Sequence, residues 1–230
     1  MANLPGNLVA ATINTPFTQR HLRNNMHNPV QADRVILVHY PEKAPTLGVV
    51  LHRDFHRLDQ LSITTHWFYE TYTIDTLHMG FAQPPPVVQV GMPVMLKRKD
   101  IWLRAKIKAI VDDEQVEIEY MDVTCHNTTM PIKILRPVPE RFITSLPAQG
   151  IEVQLDGVRP FVGNQWSPQA RQAIDNFCRI LPKNGKITAV VRETPATGPP
   201  KVLLYRCAGS KALDDLSSHL VNSNLGYPTP

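Results

Sequence analysis

His52 and His56 stand four residues apart, the spacing at which two imidazoles on one helix face can hold a zinc ion. The residues between them are Arg53, Asp54 and Phe55, so the glutamate of a zinc-protease motif is missing and no third ligand accompanies the pair. They read as surface histidines where a strand gives way to a loop. Cys125 and His126 are neighbours, which invites a thiol–imidazole pairing, but adjacent side chains on a strand point to opposite faces. The three cysteines, Cys125, Cys178 and Cys207, include no CxxC, so neither a disulfide framework nor a zinc site is expected, and a reducing compartment fits. Glycine-rich phosphate loops and a GxSxG elbow are absent. The chemistry to expect is binding, with no catalytic residue, metal or cofactor.

Charge narrows the ligand class only a little. The net charge of +4 is spread over 24 cationic and 20 anionic residues with no polybasic run, and the sequence pI is near 9.0. Lys97, Arg98, Lys99, Arg104, Lys106 and Lys108 form a local concentration that would suit RNA, although alternate lysines on a strand are more often a solvated face. Arg104 and Asp122 could meet a ligand, but an aspartate beside a tight turn more often satisfies backbone donors.

These residues must be placed by short elements. The chain has 230 residues, 43% hydrophobic and 19% charged, enough for a sizeable core. Its 21 prolines against 11 glycines cut it into short pieces joined by stiff turns, which favours β structure. Residues 1–29 lack apolar periodicity and read as a flexible lead-in. RVILVHY and TLGVVLH read as a strand pair, and apolar spacings of three and four predict a helix between Asp54 and Leu77. Pro84-Pro85-Pro86 is a stiff spacer. Four strand-length runs follow: Met92–Arg98, Ile101–Val111, Gln115–Asp122 and Asn127–Ile132. In the third, Val116, Ile118 and Tyr120 alternate with Glu117, Glu119 and Met121, the signature of one buried face in a small curled sheet. Farther on, IEVQL is a strand, and Ser167-Pro168 caps a helix QARQAIDNFCRIL. ITAVVRE and KVLLYRC are strands, and SKALDDLSSHLVNS is a terminal helix. No stretch approaches the roughly 18 apolar residues of a membrane helix, and the opening MANLPGNLVA lacks the charged and apolar regions of a secretion signal. An intracellular protein with no membrane partner is expected.

VGMPVMLKRKDIWLRAKIKAIVDDEQVEIEYMD, followed by ILRPVP and FITSLPAQGIEVQLDGVRP, resembles the core of an extended Tudor domain. Trp102, Arg104, Ala105, Val116, Ile118, Tyr120, Asp122, Leu135 and Arg136 match the family's spaced pattern, as do Leu146, Pro147, Gln149, Leu155 and Pro160. The flanks resemble the family's leading strands, linker helix and trailing half, so the likeness spans about Val35 to Tyr227. It implies a mainly β fold with α elements (α+β), in which an SH3-like Tudor barrel is inserted into a staphylococcal-nuclease-like OB barrel and joined to it by a linker helix. On this reading residues 30–227 are one extended Tudor domain, with a Tudor core at about 88–140 and nuclease-like portions at about 30–87 and 141–227.

Family members that read dimethylarginine surround the cation with four aromatic walls, whose negative ring faces attract it, and orient it with an asparagine. By the resemblance, the wall positions fall on Leu96, Leu103, Tyr120 and Val123, and the amide position on Cys125. Only Tyr120 is aromatic, so the cage is degenerate and methyl-dependence is not expected. Two readings stand side by side: an apolar groove lined by these residues, or side chains that complete a barrel core. Trp102 lies beside an aligned position and is expected to pack. The resemblance further implies a scaffold in germline small-RNA (piRNA) silencing, cytoplasmic or in perinuclear germ granules, engaging the arginine-rich tail of a Piwi-class Argonaute. A structural or self-associating module with a vestigial groove, or an RNA-binding protein, would be the alternatives.

Overall fold

The computed structural model describes residues 32–39, 45–71, 81–123 and 128–229. The first strand pair is β1 (Asp33–His39) and β2 (Thr46–Leu51), antiparallel with Val35 opposite Leu51. Every residue of β2 is buried, as the apolar run that follows Thr46 requires of a strand covered on both faces. The helix α1 (His52–Glu70) follows with no connecting loop. It begins two residues earlier than the apolar spacing indicates, so His52 and His56 sit on its first turns rather than where a strand runs into a loop. Residues 72–80, the end of the expected helix, lie outside the described residues, as do 1–31.

Strands β3 (Pro93–Arg98), β4 (Ile101–Ile110), β5 (Gln115–Tyr120), β6 (Thr128–Pro131) and β7 (Arg136–Pro137) form a five-stranded antiparallel sheet in the order β6-β5-β4-β3-β7. The period-two alternation is realised: Val116, Ile118 and Tyr120 are buried on β5. Lys99 and Asp100 turn the β3–β4 hairpin with φ of 47° and 63°, the pair of left-handed residues that a tight turn needs. A short helix, α2 (Glu140–Thr144), has no counterpart in the sequence reading because five residues are too few to show a period.

The chain then returns to the first sheet. β8 (Ile151–Leu155) pairs with β2, β10 (Gly185–Glu193) with β1, and β11 (Lys201–Ala208) with both β8 and β10. These pairings close a five-strand circuit, so the five-stranded sheet is an excursion made between two neighbouring strands of a barrel. The barrel is filled by Leu47, Val49, Val153, Leu204 and their neighbours and plugged by α3 (Pro168–Arg179) through Ile174 and Phe177. The expected N-cap is present: Ser167 Oγ accepts from the Ala170 amide at 3.1 Å with Pro168 at the first helical position.

One segment departs from expectation. SKALDDLSSHLVNS is not helical throughout: Lys211–Asp215 is a strand, β12, on β11, and only Leu216–Asn222 is helix α4. Gly209, at φ 56°, and Ser210 form a two-residue hairpin turn, and the ladder it sets up overrides the local helical spacing. A small two-stranded sheet, β9 (Val158–Arg159) with β13 (Tyr227–Pro228), completes the described residues.

Candidate functional site

Four of the five expected groove positions come together. Leu96 on β3 and Leu103 on β4 are directly opposed across the hairpin. Tyr120 ends β5 opposite Ala105, and Val123 follows in the turn. All four belong to one apolar cluster with Val94, Ile107, Val116 and Ile118. Cys125 lies outside the described residues, as does His126. Leu96 is 1% exposed and Tyr120 6%, whereas Leu103 and Val123 are half-buried at the cluster's edge. A cation–π contact needs an accessible ring face. Tyr120 offers almost none, and the side chains beside it have no π-system.

The opposite side of the same hairpin faces α1 and α2. Trp102 alternates with Leu103 and points away from the cluster, stacking on Tyr69 with ring centroids 4.4 Å apart and planes at 24°. Lys97 reaches Glu70 at 2.8 Å, and the Trp102 indole nitrogen donates to the same carboxyl at 2.7 Å, which together hold it below the usual range. Tyr69 donates its hydroxyl to the Pro137 carbonyl at 2.6 Å, and burial pushes its phenol far above the usual range despite the opposing charges of Arg136 and Arg141. Trp102 is therefore a packing residue.

Arg104 is 2% exposed and uses all five guanidinium donors. Two go to the Asp122 carboxylate at 2.8 and 2.7 Å, and three to the carbonyls of Phe142, Leu146 and Pro147. Asp122 also accepts from the Gln149 amide at 3.2 Å. The pair ties β4 to α2 and to the segment that re-enters the barrel.

This burial removes Arg104 from the cationic set considered for RNA. Lys97, Lys106 and Lys108 are paired with Glu70, Glu119 and Glu117, so half of that set faces carboxylates on its own sheet or on α1. Among the described residues no cluster of three or more His, Cys, Asp or Glu could hold a metal, and no helix is long and apolar enough to cross a membrane. The Cys178 thiol is pushed up to about 12 by burial, with Asp175 adding to the effect, which suits packing rather than nucleophilic chemistry.

Sequence reasoning missed a surface groove of about 870 Å³ between α1 and α2, lined by Ile63, Trp67, Phe68, Arg57, Arg141 and Phe142 among others. The spacing of Ile63 and Trp67 could have disclosed it, since residues four apart share a helix face. The short α2 that forms the other wall could not be read.

A Tudor domain family model matches residues 30–157, more than half of the chain. The chain belongs to the Tudor domain family. Its fold is that of the extended Tudor domains, an SH3-like barrel and a nuclease-like barrel joined through a linker helix, mainly β with helices. The extended Tudor domain of Drosophila melanogaster Papi, solved with an unmethylated Piwi N-terminal peptide, is 15% identical with a TM-score of 0.64, covering 86% of this chain and 99% of that one. Extended Tudor domain TD3 of mouse TDRD1, solved with a MILI peptide containing dimethylarginine, is 18% identical with a TM-score of 0.63, covering 86% and 93%. The extended Tudor domain of Drosophila melanogaster Tudor-SN is 17% identical with a TM-score of 0.59, covering 86% and 85%. No curated protein sequence matches the chain.

Proposed function

We propose that this Tudor protein is a non-catalytic adaptor that docks a peptide segment of a partner protein without requiring arginine methylation. Residues 30–227 would act as one extended Tudor domain. The observation that carries the reading is the position of Tyr120. The one aromatic at an aligned cage position is buried in a cluster with Leu96, Leu103 and Val123, so no set of ring faces is available to a methylated guanidinium. Cys125 stands where the orienting asparagine would be. The Papi and TDRD1 domains, solved with unmethylated and dimethylated peptides respectively, support peptide docking as the activity and a Piwi-class Argonaute tail as the first partner to test. On this reading the protein acts in piRNA silencing, in the cytoplasm or in perinuclear germ granules.

Isothermal titration of the full chain with an arginine-rich peptide in unmethylated and symmetrically dimethylated forms tests this. Equal affinities are expected, and a tenfold preference for the methylated form would overturn methylation independence. A single-stranded RNA in the same series, bound with a steep salt dependence, would instead favour nucleic-acid binding. The buried Arg104 and the three paired lysines argue against that outcome.

A further inference from the structure

The groove between α1 and α2 has an apolar floor and a cationic rim. Ile63 and Trp67, four residues apart on α1, are 52% and 56% exposed, an investment of apolar surface that neither the core nor the barrel uses. Phe68 and Phe142 form the floor, packed edge-to-face with centroids 5.3 Å apart. Arg141 lies over both of these rings, its guanidinium carbon 5.1 and 4.9 Å from their centroids. Across the groove, Arg57 uses one N–H on the Ser145 carbonyl at 2.9 Å. Arg57, on α1, is thereby held by the C-terminal end of α2, and Arg141, on α2, by the two rings; neither is in an ion pair with a described residue. Among the described residues no carboxylate lines the groove. Fixed cations around exposed apolar anchors complement a segment that alternates acidic and large apolar side chains.

We infer that this groove is a second docking site, separate from the Tudor-barrel positions, for an acidic amphipathic peptide segment of a protein partner. Trp67 and Ile63 are its apolar anchors, and Arg57 and Arg141 pair with its carboxylates, the helix-in-groove arrangement in which apolar contacts set affinity and charge sets the choice of partner. Residues 1–31 of this chain are a poor occupant, since they contain Arg20 and Arg23 and no carboxylate. RNA is a poor one as well, because two cations beside an apolar floor supply little of the phosphate-tracking charge that it needs.

The test is a random twelve-residue peptide library displayed on phage and panned against the immobilised full chain, with enriched peptides measured by fluorescence anisotropy. Enriched peptides should carry Asp or Glu interleaved with Leu, Phe or Trp. Trp67→Ala should weaken them at least tenfold, and the double variant Arg57→Glu, Arg141→Glu should redirect enrichment to lysine-containing peptides. Trp67 and both arginines are at the groove surface, and unchanged thermal melts of these variants would show that the fold is retained. Absence of enrichment, equal binding by the Trp67→Ala protein, or enrichment of basic peptides by the unaltered chain would overturn the inference. So would a dimer in sedimentation that Trp67→Asp dissolves, or stronger competition by a fifteen-nucleotide oligouridine than by the acidic peptides. The arginine-peptide affinities of the Tudor-barrel reading should not change in Trp67→Ala, so the two proposals fail separately.

Discussion

Arg104 and Asp122 form a two-point ion pair in the interior, with the three remaining guanidinium donors on one carbonyl of α2 and two of the segment between α2 and β8. A guanidinium is suited to this position because its planar fork satisfies every donor at once, which an ammonium cannot do. Three parts of the chain that are distant in sequence are held through one side chain.

Removing either partner leaves a buried charge without compensation, which costs about 3–5 kcal/mol. Arg104→Ala and Asp122→Asn should each lower stability by that amount in urea unfolding, and Arg104→Lys should recover little of it. A loss under 1 kcal/mol for Arg104→Ala would show that the pair does not hold the segments together.

Leu96 and Val123 differ in burial, although both are aligned to cage positions. Leu96→Ala should cost about 2–5 kcal/mol as a core truncation, while Val123→Ala at the cluster's edge should cost clearly less. Equal costs in chemical denaturation would mean that both line a common groove instead.

Tyr69 carries a pH dependence whose sign follows from its burial. Its phenol is raised above the ordinary value of 10.0, so folding favours the protonated form. The unfolded chain therefore ionises first, and the contribution is fully present below pH 10 and is lost as pH rises beyond it. Stability measured from pH 8 to 11 should decline above 10, and Tyr69→Phe should flatten that decline while costing about 1 kcal/mol for the lost hydrogen bond at neutral pH. An unchanged slope in the variant would assign the effect to another group.

Ser167 caps the helix that plugs the barrel. Ser167→Ala should lower the stability by about 1 kcal/mol, within the usual range of 0.5–2 for a lost cap, and Ser167→Asp should preserve it. A silent alanine variant in thermal unfolding would show that Pro168 alone starts the helix.

Where the sequence was legible, it was so because local pattern and tertiary burial agree. The alternation of Val116, Ile118 and Tyr120 is the buried face of β5, and TLGVVL, apolar apart from Thr46, is a strand buried along its whole length. Ser167-Pro168 announces its helix by capping chemistry. Lys211–Asp215 misleads because Ala212 and Leu213 fit a helical spacing, and only pairing with β11 decides otherwise. At the candidate site, alignment brings Leu96, Leu103, Tyr120 and Val123 to one place, but burial separates core residues from edge residues and cannot be read from type alone. The α1–α2 groove depends on a five-residue helix and on which face of α1 is left uncovered, both of which are tertiary facts.

The excursion of the chain between β2 and β8 has a consequence for how the protein reaches its fold. Thr46 donates to Glu152 at 2.6 Å across 106 positions of sequence, and the strands around them can pair only after that loop is closed. For a flexible loop on the order of 100 residues the closure entropy is about 4 kcal/mol by the (3/2)RT ln n scaling. Strands β3 to β6 pair as successive hairpins, and the β3–β7 pairing closes only the stretch from Val94 to Pro137, so this sheet's contacts are shorter in range and need less loop closure. Folding of the middle first, with Arg104 drawing the re-entering segment against it, would shorten the effective tether, and closure of the outer barrel is then expected to be the late, slow event.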